Sequence, residues 1–196
     1  TRIFSYLDME PEVKNANVVV KPSFAKKTEI SYENVEFYYS KDVPLIKDLS
    51  FRVPSGKMYA IVGPSGSGKS TVVNLLPRLY DVRSGAVRIN GSDVRNIDLT
   101  YLRSNIGMVT QEAYMFNGTI RENLLFAKPE ASQEELENAC KIANIHDFII
   151  SQPEGYDTPV GNRGLKLSGG EKQRLSIARV ILKDPKILID RKSTRL

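Results

Sequence analysis

The octapeptide GPSGSGKS, residues 63–70, constrains this chain more than any other stretch. It fits G-x-x-x-x-G-K-[ST] in full. The apolar run MYAIV precedes it, and KSTVVNLLPRLY follows, with Val72, Leu75, Leu76 and Leu79 forming an apolar stripe at helical spacing. Pro77 removes one helix hydrogen bond and tightens the end. Strand, glycine loop and helix in that order make an anion cradle. Glycines let the backbone turn so that several N–H groups converge, and the start of a helix adds partial positive charge. Lys69 is placed to neutralise the β- and γ-phosphates of a nucleotide. The Ser70 hydroxyl is placed to ligand Mg²⁺, which prefers oxygen ligands and phosphate partners. The expected binding residues are Gly63, Pro64, Ser65, Gly66, Ser67, Gly68, Lys69 and Ser70, with Thr71 beside them.

The rest of the chain sets this loop in an α/β frame. ISYENVEFYY alternates at period two, through Ile30 and Tyr32 and then through Val35, Phe37 and Tyr39. LIKDLSFRV alternates similarly and stops at the turn Pro54-Ser55-Gly56. GAVRING, IGMVTQ and KILI read as further strands, residues 132–150 as helices, and LSGGEKQRLSIARVIL as a helix. Strands alternating with helices predict a mainly parallel core sheet. The early strands, which have no helix between them, predict an antiparallel β section beside it. At 196 residues the chain is long enough for one buried core. RIFSYL near the N-terminus has the spacing of a helix end, and residues 1–29 read as that end followed by a polar, proline-marked linker.

Composition removes several classes. The net charge is +5, and Arg191, Lys192 and Arg195 against Asp190 supply +2 of it at the C-terminus. The remaining charge is too spread out for a nucleic-acid face. No apolar run reaches the ~18 residues of a membrane helix. The single cysteine, Cys140, excludes an internal disulfide and reads as a small core residue. His146 reads as a structural or surface residue.

A second glycine cluster narrows the reading. In LSGGEKQR, Ser168 and Glu171 have the spacing of a capping box. A plain helix start does not account for Gly169 and Gly170, which are poor helix formers. Their use is to bare backbone N–H groups at a helix N-terminus, a second anion site. One nucleotide needs one cradle, whereas a head-to-tail dimer needs both, each nucleotide lying between one subunit's first site and its partner's second.

With these motifs in order, residues 1–189 resemble the ATP-binding cassette family. The carriers are GPSGSGKS (the Walker A motif), VTQE with Gln111 (the Q-loop) and LSGGEKQR (the signature); Glu171 stands where Gln is commoner. TQEAYMFNGTIRENLLFA and TPVGNRGLKLSGGEKQR resemble the exporter branch, in which the cassette follows a transmembrane domain on the same chain. The implied fold is a P-loop NTPase core with an antiparallel β subdomain and a helical signature subdomain. The implied ligands are ATP and Mg²⁺, with Lys69 and Gln111 in hydrolysis and Ser70 and Gln111 at the metal. Tyr39 in VEFYY would stack on adenine, or else be a core aromatic of its strand. Gln111 would relay nucleotide state, or else be a polar strand end. Ser168, Gly169, Gly170 and Glu171 would meet the nucleotide bound by a second nucleotide-binding domain. The implied partners are that domain and a transmembrane domain of the same parent, with no nucleic acid. The parent would lie at the cytoplasmic face of a membrane, and the chain by itself would be soluble. Two alternatives stay open, a soluble ATPase of this family and a non-hydrolysing nucleotide-binding regulator.

The C-terminus departs from the family pattern. In the family, four apolar residues precede an Asp-Glu pair, Asp at the metal and Glu at the attacking water. Here three apolar residues precede Asp190, and Arg191 comes next. Residues 190–196, DRKSTRL, equal the translation of a common sequencing adapter, GATCGGAAGAGCACACGTCTG. The expectation is therefore a partial nucleotide-binding domain over residues 30–189, truncated at both ends. The carboxylate pair, the switch histidine and the C-terminal part of the domain would be missing, and residues 190–196 would be adapter translation.

Overall fold

The computed structural model describes residues 10–24, 27–41, 43–110 and 113–191. The helix expected over residues 2–7 lies outside them, as does Gln111. The chain forms two compact units, residues 1–103 and 104–196.

The first unit is built on an antiparallel sheet. β1 (Ile30–Phe37), β2 (Ile46–Val53), β3 (Ser84–Ile89) and β4 (Ser92–Asp93) lie in the order β2-β1-β3-β4. The change of phase in ISYENVEF has a structural cause. Tyr32 pairs with Phe51 and Val35 with Leu49, so β1 carries an extra residue between them. Asn34 sits at that bulge with φ 45°, its N–H donating to Ser50 Oγ at 2.9 Å and its Nδ2 to Asp48 Oδ1 at 2.8 Å. On β3, Gly85 passes so close to the bulge that a Cβ would stand 2.2 Å from Asn34 O, so only glycine fits. Tyr32, Val35 and Phe37 are buried with Val72, Leu75, Ile89 and Ile97.

α1 (Lys69–Leu75) follows the glycine loop and is shorter than its apolar stripe. Val72, Leu75 and Leu76 are buried, but Leu79 is 46% exposed. Pro77 follows the helical C-cap Leu76, and Arg78 then turns to φ 52°. Arg78 is itself buried. It grips Asp81 through Nε at 2.7 Å and Nη2 at 2.8 Å and donates to the carbonyls of Arg95 and Lys14. The segment expected as a linker is thereby tied down, and Val20 also forms a parallel bridge with Ile97. α2 (Leu99–Ser104) follows, its Leu102 fully buried.

One expected strand is absent. Residues 58–62, ahead of the glycine loop, belong to neither sheet, and Met58 and Val62 are 98% and 86% exposed. An apolar strand of this kind takes its ladder and its burial from strands on both edges. No described strand pairs with it.

The second unit pairs β5 (Ile106–Val109) with β6 (Ile187–Asp190) in parallel, from Ile106 opposite Ile187 to Val109 opposite Asp190. The parallel sheet of the described residues is this pair. Between the two strands run α3 (Ile120–Leu125), α4 (Gln133–Ile142), α5 (His146–Ile150) and α6 (Gly169–Lys183). Three of these helices begin with the same device, a capping box: Thr119 with Glu122, Ser132 with Glu135, and Ser168 with Glu171. Leu124, Leu136, Cys140, Ile149, Tyr156, Leu175 and Ala178 meet in one core. Burial pushes the Cys140 thiol up to about 11. His146 is half-buried, its Nδ1 2.9 Å from Tyr156 Oη. Among the described residues no helix is long and apolar enough to cross a membrane.

Candidate functional site

The first unit gathers a phosphate loop and an exposed aromatic ring. Gly68 caps α1 in the left-handed conformation, φ 86° and ψ 4°, which costs glycine nothing. A Cβ there would only touch Leu45 and Ile46 at ordinary contact distance, 3.4 and 3.6 Å, so it is the backbone conformation that asks for glycine. Val72 N–H donates to Gly68 O at 2.9 Å, and Ser67 N–H donates to Pro64 O at 3.3 Å, which folds the loop back on itself. Lys69 closes it. Its ammonium donates to Gly63 O at 2.7 Å and to Pro64 O at 2.6 Å, with Ser67 Oγ at 3.5 Å. These acceptors are neutral oxygens on an exposed loop. A phosphate offers the same ammonium charged oxygens and stronger hydrogen bonds. Ser70 is half-buried at the first turn of α1, and Thr71 beside it is buried.

Tyr39 is placed by the end of β1. The strand stops at Phe37, so the alternation that buries Val35 and Phe37 does not reach Tyr39, which is 55% exposed. It is therefore not a core aromatic. Its hydroxyl lies 2.9 Å from Thr71 Oγ1, one residue beyond Ser70. Phe37 and Tyr80 hold it edge to face, at 4.9 and 5.2 Å between ring centroids. The ring is thus anchored at its hydroxyl and on two sides while much of it stays open to solvent. An aromatic surface next to a phosphate loop can take a planar base.

The signature lies in the second unit. Ser168 Oγ accepts from Glu171 N–H at 3.3 Å, and Glu171 Oε2 accepts from Ser168 N–H at 2.7 Å. Leu175, Ala178 and Leu182 bury the far side of α6. Gly169 and Gly170 are exposed. A Cβ at Gly169 would meet nothing within 4 Å, and one at Gly170 only the Arg174 guanidinium at 3.5 Å. Among the described residues nothing requires glycine at either position. Their effect is to leave the helix start bare, with N–H groups facing out.

The remaining candidates divide. Gln111 is outside the described residues. Asp190 ends β6, and Arg191 N–H donates to Val109 O at 2.9 Å, so the backbone of Arg191 still follows the strand. Sequence reasoning missed the contact of buried Asn123 with half-buried Arg179 in the second unit. The available signal was a cation next to Ala178, inside the apolar spacing of α6.

Comparisons with known proteins agree on the family. The family profile for the ABC transporter matches residues 46–190. A Staphylococcus aureus protein (strain NCTC 8325 / PS 47), named for multidrug export as an ATP-binding/permease protein, is 45% identical over 188 residues, 95% of this chain and 32% of its own. YgaD of Bacillus subtilis strain 168, named in the same way, is 51% identical over 174 residues, 86% of this chain and 30% of its own. The solved structure of a bacterial Atm1-family ABC exporter with ATP bound matches at a TM-score of 0.91 and 43% identity, covering 96% of this chain and 33% of that one. The chain therefore spans about a third of the length of the relatives it matches. A phosphate loop and a signature helix start in this order, with a profile match over most of the chain, place it in the ABC transporter family.

Proposed function

We propose that this chain is the ATP-binding part of an ABC exporter. The observation that carries the reading is the contact of Tyr39 with Thr71, which sets an exposed ring beside the phosphate loop. Adenine would stack on Tyr39, and Lys69 would leave the carbonyls of Gly63 and Pro64 for phosphate oxygens. The residues fit a magnesium nucleotide: Ser70 offers a hydroxyl to the metal, and Lys69 is a cation whose present acceptors are exposed neutral oxygens. Ser70 and Gln111 would hold Mg²⁺, which would supply charge neutralisation at the phosphates. Ser168, Gly169, Gly170 and Glu171 would face the nucleotide on a second nucleotide-binding domain. Such a pair would be joined to transmembrane domains at the cytoplasmic face of a membrane and would couple hydrolysis to export.

Hydrolysis is phosphoryl transfer to water, which depends on positioning and charge. With Arg191 directly after Asp190, the chain puts a cation where the family pattern has a carboxylate. A cation repels Mg²⁺ at short range. The chain as given should bind nucleotide and turn it over slowly or not at all.

Equilibrium titration with a fluorescent ATP analogue in Mg²⁺ tests the reading. Saturable binding is expected, weakened about 10- to 100-fold in Lys69→Ala by loss of charged hydrogen bonds. Affinity that Lys69→Ala leaves unchanged would refute the site.

A further inference from the structure

Tyr39 stands where its own strand no longer fixes it. β1 stops at Phe37, and the ring two residues beyond is more than half in solvent. An exposed tyrosine on such a segment samples several rotamers. Seating a flat base on one of them costs the freezing of the ring as well as of the ligand. The groups that hold this ring come from elsewhere in the sequence, from the two ends of α1.

At the near end, the buried Thr71 puts its Oγ1 2.9 Å from Tyr39 Oη. At the far end the chain leaves Leu76 through Pro77 and turns at Arg78, with φ 52°. Arg78 is buried and closes this turn on both carboxylate oxygens of Asp81, Nε donating at 2.7 Å and Nη2 at 2.8 Å. A bidentate, charge-assisted pair fixes direction as well as distance. Arg103 braces the same turn, donating to Pro77 O at 3.0 Å and to Arg78 O at 2.7 Å.

Tyr80 sits between the clasped residues and is half-buried. Its ring meets Tyr39 at 5.2 Å between centroids with the planes at 85°, and it meets Phe37 at 5.7 Å and 53°. Phe37 takes another side of Tyr39, at 4.9 Å and 89°. Arg83, two residues past Asp81, holds the backbone on either side of Phe37. Its N–H donates to Glu36 O at 2.9 Å and its Nε to Tyr38 O at 3.3 Å. Both aromatic neighbours stand nearly perpendicular to Tyr39, so neither takes the parallel place of a stacked base. A leucine at position 80 would cover Phe37 as well. What a ring adds is a contact with a preferred angle.

We propose that Tyr80 is a positioning residue for the nucleotide base. Held by the Arg78–Asp81 clasp, it sets the Tyr39 ring before a ligand arrives. Thr71 and the clasp lie at the two ends of α1, so one helix places both the base platform and the phosphate loop. That the platform serves a base rests on the function proposed above. The hold of Tyr80 on the ring is tested without nucleotide.

The experiment uses the full chain and the variants Tyr80→Leu, Tyr80→Met and Tyr80→Phe. Two probes are titrated by calorimetry in Mg²⁺: etheno-ATP, which carries a base, and inorganic tripolyphosphate, which carries none. Tyr80→Leu and Tyr80→Met should weaken etheno-ATP about 3- to 10-fold, the scale of one aromatic pair. Tripolyphosphate should stay within about 2-fold, because its site is separate from the ring. Tyr80→Phe keeps the ring and should bind both probes like the wild type. In a Tyr39→Leu background, Tyr80→Leu should weaken etheno-ATP by no more than about 2-fold, since the ring it positions is gone. A folded Tyr80→Leu with wild-type etheno-ATP affinity would overturn the proposal. So would an equal loss for both probes, the full loss in the Tyr39→Leu background, or failure of both Tyr80→Leu and Tyr80→Met to fold, since Tyr80 would then be a core residue only. ¹⁹F NMR of the fluorotyrosine-labelled chain without nucleotide, with the Tyr39 resonance assigned by Tyr39→Phe, separates the two readings. The Tyr39 resonance should move toward the free-chain position in Tyr80→Leu, and an unmoved resonance would overturn the positioning role. If the wild type binds neither probe, the proposed function fails while the NMR result still decides whether Tyr80 holds the ring.

Discussion

The two glycine-bearing motifs of this chain depend on different ranges of interaction. The signature closes on itself within four residues: Ser168 and Glu171 exchange hydrogen bonds, and α6 then buries Leu175, Ala178 and Leu182 against helices of its own unit. The phosphate loop has local order too, with Lys69 on the carbonyls of Gly63 and Pro64. The apolar run that leads into it buries little, and Met58 and Val62 stand almost fully in solvent. A capping box needs only its own turn, whereas a central strand needs two neighbours. Chemical function can therefore be written in a segment whose packing is not.

This contrast can be broken by substitution. Leu175→Ala should cost about 2–5 kcal/mol, because it opens a cavity in the core under the signature. Urea unfolding followed by a probe in residues 104–196 measures it, and a loss below about 1 kcal/mol would mean that α6 is not packed as described. Alkaline pH acts on the same core. The Cys140 thiol is raised by burial from 9.0 to about 11. A raised acid favours the folded state while protonated in both forms, so its contribution is complete below pH 9 and is lost as pH rises to 11. The loss should approach about 2–3 kcal/mol. Tyr156, also raised by burial, adds to the loss from above pH 10. In Cys140→Ala the part that begins near pH 9 should vanish. Ser168→Ala removes one side of a capping box and should cost about 1 kcal/mol. Val62→Ser sharpens the comparison from the other side. With the side chain in water, the change should stay within about 0.5 kcal/mol. A large loss there would mean that residues 58–62 are buried in solution.

How much was legible follows from the same difference in range. The phosphate loop, the capped start of α6 and the strand character of 30–37 could be read because each signal lies within a few residues. The phase change between Tyr32 and Val35 was visible, and the bulge at Asn34 is its cause. The fate of Tyr39 was not visible, since sequence alternation continues past the point where β1 stops at Phe37. Residues 58–62 read as a strand by composition, because composition does not say whether neighbours pair with them. Arg179 was out of reach for another reason: its acceptors on Asn123 and Tyr114 are 56 and 65 residues away in sequence.

The central claim is that nucleotide lies on the first unit between Tyr39 and the phosphate loop. Photolabelling of the full chain with 8-azido-ATP in Mg²⁺, followed by peptide mapping, tests where adenine sits. The account predicts that label is found in the peptide containing Tyr39, is displaced by ATP, and is largely lost in Lys69→Ala. Label spread over both units, or label at Tyr39 that Lys69→Ala leaves undiminished, would contradict it.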